Sequence, residues 1–64
     1  MKYVIFKKEN PTLMVAMLDS EYNPTLTNNI EDAMKWESST EAMKIIVQMP
    51  GSTEFWGARP SKPK

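Results

Sequence analysis

The chain has 64 residues, which is enough for one small domain at most. It contains no cysteine and no histidine, so disulfides, cysteine-based metal sites and thiol nucleophiles are excluded, and the commonest general base near neutral pH is missing. Eight Lys and Arg residues balance eight Asp and Glu residues, whereas a dedicated duplex-DNA binder usually has a clear basic excess.

Apolar residues make up 41% of the chain and charged residues 25%, which is typical of a folded globular domain. No apolar run approaches the roughly 18–20 residues that cross a bilayer. The N-terminal segment 2–8 has only four apolar residues between its lysines, which is too few for the core of a signal peptide. We therefore expect a cytoplasmic protein with no membrane partner.

The first two predicted strands form an antiparallel hairpin. Lys2 to Lys7 and Leu13 to Leu18 are apolar on both faces, a pattern that favours strands covered on both sides. The intervening segment 8–12 contains Asn-Pro, which starts turns because proline fixes φ and restricts the residue before it. The closeness of the two strands predicts the hairpin.

A polar connection over residues 19–25 follows the hairpin. Asn28 or Asn29 can cap a short helical turn over residues 30–33. The two acidic residues in that turn favour it as well, because they complement the positive end of the helix dipole. Residues 34–37 then alternate in polarity, which predicts a short third strand.

The main helix is predicted to begin near Ser39, because Ser38-Ser39-Thr40-Glu41 reads as a capping box. Four residues spaced at i, i+3, i+4 and i+7 form its apolar face: Ala42, Ile45, Ile46 and Met49. Met43 and Val47 are expected to widen this face. Pro50-Gly51 is expected to end the helix.

Thr53 to Arg59 is the last predicted strand, and residues 60–64 are expected to form a flexible, basic, proline-containing tail. The chain is therefore predicted to be a single α+β domain over residues 1–59, with element order β-β-β-α-β. Its antiparallel sheet has three to four strands, and one main helix packs on one face.

The area of this sheet suggests an interaction surface. A helix of about ten residues covers one face, which leaves apolar residues on the other face without cover, and large exposed apolar patches usually mark binding sites. Phe55 and Trp56 are adjacent on one strand, so one of them points away from the helix. The candidate partner-binding residues are Phe6, Met14, Met17, Trp36, Trp56 and Arg59. Burial of this surface predicts a protein partner and a homodimer or larger homo-oligomer.

Catalysis is not expected from this inventory of residues. Acidic pairs occur at Asp19/Glu21, Glu31/Asp32 and Glu37/Glu41, but each lies in a predicted turn or helix start, where acids cap or are solvated. Two glycines are too few for a phosphate-binding loop. We therefore predict a non-enzymatic protein with no cofactor and no metal site.

A single-stranded nucleic-acid binder remains the alternative. Aromatic residues on a sheet, interleaved with basic residues, can stack bases. The sequence offers two such sets: Tyr3, Phe6, Trp36, Phe55 and Trp56, and Lys2, Lys7, Lys8, Lys35 and Arg59. Most aromatics in so small a domain are needed for the core, which favours the protein-binding hypothesis.

One segment resembles a known group of proteins. In residues 33–42 an aromatic strand residue is followed by Ser/Thr, an acid and Ala opening a helix, and this resembles an element of very small accessory proteins of tailed bacteriophages. The opening Met1 to Ile5 is in the same style. The resemblance implies an early gene product that binds and redirects or blocks a host enzyme or defence factor, in the host cytoplasm. It implies no catalytic residue.

Overall fold

The computed structural model describes residues 2–61 and contains four strands and two helices in this range. They are β1 (Tyr3–Lys7), β2 (Asn10–Leu18), β3 (Pro24–Thr27), α1 (Ser39–Ile46), α2 (Ser52–Phe55) and β4 (Trp56–Pro60). The strands form one antiparallel sheet in the order β3-β2-β1-β4. The predicted α+β class and the order β-β-β-α-β are therefore confirmed. None of the helices described is long and apolar enough to cross a membrane.

The start of α1 is as predicted, and its end is earlier. The Ser38 hydroxyl accepts a hydrogen bond from the backbone N–H of Glu41 at 3.2 Å, which satisfies one of the free donors of the first helical turn. The helix ends at Ile46, short of Met49, and the chain continues in turns. Val47 is 59% exposed, so it does not widen the buried face as predicted.

The main core lies between α1 and the sheet. It consists of buried residues from the helix, the turn after it and three strands: Ile5, Val15, Ala42, Ile46, Met49 and Trp56. Ala42, Ile46 and Met49 belong to the predicted apolar stripe, and this spacing aligns them on one side of the helical segment. Met43 lies on the flank of that stripe and is exposed.

The third strand is not where the sequence pattern placed it. Residues 24–27 form β3 beside β2, with Leu26 opposite Val15, whereas residues 34–37 form only an isolated bridge between Trp36 and Tyr3. The predicted connection over residues 19–25 is therefore shorter, and the predicted strand over residues 34–37 is wrong. The alternating polarity of residues 34–37 indicates a segment that can pair with a strand, but it does not determine the number of residues that pair.

Residues 34–36 lie between β1 and β2 at the end of the sheet where these two strands are not paired. β1 and β2 are in register at Phe6 and Met14, and no further paired residues follow toward the start of β1. In that gap the N–H of Met34 donates to the carbonyl of Val15 at 2.9 Å. On the other side, Trp36 exchanges two backbone hydrogen bonds of 2.8 Å with Tyr3. The connection between β3 and α1 therefore satisfies backbone groups that the diverging strands leave free.

The sheet face opposite α1 is partly covered by the same connection. A second buried cluster contains Val4, Met14 and Ala33, with Phe6 and Ile30 packed against it. The expectation that this whole face lacks cover is therefore wrong, because the β3–α1 connection shields its centre. Only the parts of the face beyond that cluster are available to a partner.

The β1–β2 turn is tighter than predicted. Lys8 and Glu9 form a two-residue turn, and Lys7 pairs with Asn10. The Asn-Pro pair therefore lies in β2 and not in the turn. The register jumps between Phe6/Met14 and Lys7/Asn10, so Pro11 sits in a bulge, where its missing N–H costs no ladder bond.

The last strand begins later and ends later than predicted. Gly51 and Ser52 have φ angles of 88° and 46°, and this left-handed turn starts α2, so residues 53–55 are helical and not extended. β4 continues through Pro60, and the buried Ser61 donates its N–H to the carbonyl of Lys2 at 2.7 Å. Pro60 therefore belongs to the sheet and not to a tail, and Ser61 is hydrogen-bonded beside it. The remainder of the predicted tail lies outside the described residues.

The loop between β2 and β3 is organised by Asp19. Oδ1 of Asp19 accepts the backbone N–H groups of Glu21 at 2.8 Å and Asn23 at 2.9 Å. These bonds form a local turn of the kind that aspartate favours, and within this turn Tyr22 has a φ of 63°. They also lower the pKa of Asp19, with the bond from Asn23 as the largest cause.

Replacing Asp19 with asparagine is expected to reduce the acid sensitivity of the fold. Because the folded-state pKa is lowered, the stabilisation is complete above the unfolded-state pKa of about 3.9 and is lost as the pH falls through the folded value. The Lys2 ammonium lowers the pKa of Glu37 in the same sense. Unfolding by urea between neutral pH and pH ~2 measures this dependence. Asp32→Asn is the control, and an equal effect from it would contradict the role of Asp19.

Candidate interaction surface

Two of the six predicted contact residues are buried and cannot serve as first contacts for a partner. Met14 is 4% exposed, in the cluster under the β3–α1 connection, and Trp56 is 6% exposed, in the main core. Trp56 pairs with Lys7 of β1, and its indole Nε1–H donates to the Pro50 carbonyl at 2.7 Å. The buried indole therefore has its polar atom satisfied.

The other four predicted residues are spread over the sheet. Trp36 is half-buried against the main core on the helix side. Met17 is 62% exposed and pairs with Thr25 at the opposite edge of the sheet from β4. Phe6 and Arg59 are half-buried and lie close together. Of these four residues, the structure therefore brings together Phe6 and Arg59.

Phe6 and Arg59 form a stacked pair on the face opposite α1. Phe6 is opposite Gly57, and the next pair on that face is Val4 with Arg59. The guanidinium carbon of Arg59 lies 4.8 Å from the centre of the Phe6 ring, which is cation–π geometry. A Cβ on Gly57 would lie 2.7 Å from Cζ of Phe6. The glycine therefore gives the Phe6 ring room to lie over β4.

Phe55 is an exposed aromatic residue that is not among the six predicted partner-binding residues. Its side chain is 55% exposed and rests on Gly51, where an added Cβ would lie 2.1 Å from Cδ2 of the ring. A groove of about 480 Å³ beside it is lined by Lys7, Lys8, Glu9, Glu54 and Phe55. The prediction that Phe55 or Trp56 would face outward assumed that both lie in one strand, whereas Phe55 is the last residue of α2, so that pattern could not identify Phe55.

Lys8 joins the two aromatic residues into one surface. A Cβ added to Gly57 would lie 3.4 Å from Cε of Lys8, so the stem of Lys8 is close to the Phe6 ring that the same Cβ would meet. Lys8 also lines the groove with Phe55. Its ammonium donates to the Thr53 carbonyl at 2.8 Å. We call this set of residues the Phe6 surface: Phe6, Lys8, Phe55, Gly57 and Arg59.

The charges of the Phe6 surface are not neutralised by ion pairs. Within residues 2–61 the one salt bridge joins Lys2 to Glu37, and neither residue belongs to this surface. Arg59 stacks on a neutral ring and Lys8 donates to a neutral carbonyl. Neither cation therefore forms an ion pair with a carboxylate among the described residues.

The hydrogen-bonding pattern of β4 is given by the bonds at its two ends. The N–H of Ser61 donates to Lys2, and the N–H of Lys8 donates to the carbonyl of Phe55. Antiparallel ladder bonds repeat every second residue. The backbone groups of Gly57 therefore face β1, and those of its neighbours face the outer edge of the sheet.

That outer edge is a poor site for adding another strand. Pro60 has no N–H, and the N–H of Trp56 already donates to the carbonyl of Ser52. Ala58 is left as the one outward backbone donor among the described residues of β4. Proline at an edge and a shortage of donors both oppose strand addition, so side chains are better suited than backbone to contact a partner here.

The described residues contain no cluster suited to holding a metal ion. No group of three or more Asp or Glu side chains comes together in residues 2–61. In the acidic segment 19–23 the carboxylate of Asp19 bonds to backbone N–H groups of its own loop.

No protein-family model, curated protein or solved structure matches the chain. The fold and the surface chemistry are therefore the basis for any function assigned to it.

Proposed function

We propose that this protein is a non-enzymatic protein-binding module that docks a partner on the Phe6 surface. The observation that carries the proposal is Phe55, a large aromatic side chain that is 55% exposed while its ring is seated on Gly51. Aromatic residues and arginine dominate binding hot spots. A ring already held in place loses less conformational freedom on binding than a mobile one.

A protein partner fits this surface better than a single-stranded nucleic acid. The guanidinium of Arg59 already covers the ring of Phe6, so only Phe55 offers a largely exposed ring to a base. Stacking proteins usually combine several free aromatic faces with a basic groove. The groove here contains Glu9 and Glu54 as well as lysines, and the chain has no net charge.

The kind of partner is part of the proposal. The resemblance of residues 33–42 to phage accessory proteins supports a host enzyme or defence factor as the target, which the protein would inhibit or modulate in the host cytoplasm. Self-association into a homodimer is the other protein–protein contact that an exposed aromatic favours. Both uses would bury Phe55.

Affinity capture from a bacterial lysate tests the proposal. The full chain, Phe55→Ala and Val47→Ala would be immobilised at equal density, and the bound proteins would be quantified. Val47 is as exposed as Phe55 but lies at the end of α1, so it is a matched apolar control. We expect Phe55→Ala to reduce recovery of a specific protein by at least about tenfold, while Val47→Ala retains it.

Sedimentation of the isolated variants measures self-association in parallel. A specific protein or a homodimer that persists unchanged in Phe55→Ala would contradict the assignment to this surface. Binding of a short oligothymidylate at low salt, with a steep loss of affinity as salt rises, would favour the nucleic-acid alternative.

A further inference from the structure

We infer that the Phe6 surface recognises an acidic side chain next to an apolar one on the partner protein, with Arg59 and Lys8 as receptors for the carboxylate. This inference rests on the proposed protein-binding function and specifies the chemistry of the partner. It follows from the arrangement of the two cations around the aromatic residues.

Arg59 is positioned but not neutralised. Its guanidinium is held over the Phe6 ring at 4.8 Å, and the one salt bridge within residues 2–61 involves other residues. A guanidinium presents parallel N–H donors that match a carboxylate in a bidentate geometry. Because the stack with Phe6 limits the motion of the side chain, a carboxylate can bind at a small cost in conformational entropy.

Lys8 supplies a second fixed cation on the other side of Gly57. Its ammonium uses one donor on the carbonyl of Thr53 and has two further N–H donors. Its stem lies beside the Phe6 ring, and a Cβ added to Gly57 would lie 3.4 Å from its Cε. The two cations therefore border the same half-buried ring.

The acids near this surface limit where a carboxylate can bind. Glu9 and Glu54 line the groove with Lys7, Lys8 and Phe55. A carboxylate placed in the groove itself would meet these like charges, which disfavour it. The side of Lys8 that faces Phe6 and Arg59 is the favoured position, and it leaves Phe55 free to contact an apolar side chain of the partner.

Titration of the isotope-labelled full chain with two capped tripeptides, observed by NMR, tests this inference. One peptide is Glu-Phe-Glu and the other is its neutral analogue Gln-Phe-Gln. We expect the acidic peptide to shift the amide signals of residues 6–8 and 52–60, with an affinity about tenfold above that of the neutral peptide. Arg59→Gln is expected to remove this preference, and Lys44→Gln, on the exposed side of α1, is expected to retain it.

Several results would overturn the inference. Equal shifts at the Phe6 surface from both peptides would remove the role of the carboxylate and leave the proposed docking surface intact. Shifts from neither peptide, or only at other residues, would also overturn the inference, and the proposed function would then depend on the capture experiment. Shifts at this surface from oligothymidylate, with none from the acidic peptide, would assign the cations to phosphate.

Discussion

Replacing Trp56 with alanine is expected to lower the free energy of unfolding by about 3–5 kcal/mol. The side chain is 6% exposed, packs in the main core and donates to the Pro50 carbonyl. In a domain of this size the melting temperature should fall by more than about 12 °C, or the cooperative transition should disappear. Thermal unfolding followed by circular dichroism measures this effect.

The neighbouring residue provides the control for that experiment. Phe55→Ala removes an aromatic ring that is 55% exposed, so we expect it to change the free energy of unfolding by about 1 kcal/mol or less. The two variants should separate stability from binding, because Trp56 supports the fold and Phe55 contacts the partner. A loss of stability from Phe55→Ala as large as that from Trp56→Ala would show that the two rings do not have these separate roles.

Replacing Gly51 with alanine is expected to have the second largest effect, because two costs combine. The φ of 88° at Gly51 costs a residue with a side chain about 1–2 kcal/mol. The new Cβ would also lie 2.1 Å from Cδ2 of Phe55, so the ring must leave its seat. We expect lower stability, measured by urea unfolding, and a loss of partner recovery similar to that of Phe55→Ala.

A double-mutant cycle separates the two costs at Gly51. In the Phe55→Ala background the ring is gone, so Gly51→Ala should cost only the backbone strain, and the difference between backgrounds measures the contact. An equal cost in both backgrounds would mean that Phe55 does not rest on Gly51. Its exposed ring would then lack the support on which the proposed function depends.

The parts of the fold that local chemistry determines were predictable from the sequence. The apolar runs of the hairpin, the Ser38 cap and the spacing of Ala42 and Ile46 depend on residues close together in the chain, and each is confirmed. The short strand β3 was missed because Pro24 marks a turn as readily as a strand end. Its pairing with β2 depends on register between segments, which sequence pattern does not determine.

The candidate site was only partly predictable for a related reason. The prediction of one exposed aromatic at residues 55–56 assumed that both lie in a strand, whereas Phe55 is the last residue of α2. Which one is exposed depends on the turn at Gly51 and Ser52, where Ser52 adopts a φ of 46° that its residue type does not signal. Arg59 and Phe6 were both predicted to contact a partner, but their stacking requires β1 and β4 to be adjacent in the sheet. That adjacency is set by the strand order of the whole sheet.

The pairing of β1 with β4 also affects how the chain folds during translation. β1 pairs along its whole length with β4, and the two strands are separated by roughly 50 residues of sequence, a long-range contact that forms slowly. On the ribosome, the earliest strand therefore emerges with half of its hydrogen-bonding partners not yet translated. A product truncated before Trp56 would leave Ile5 without its cross-strand neighbour Ala58, and we expect proteases to degrade it.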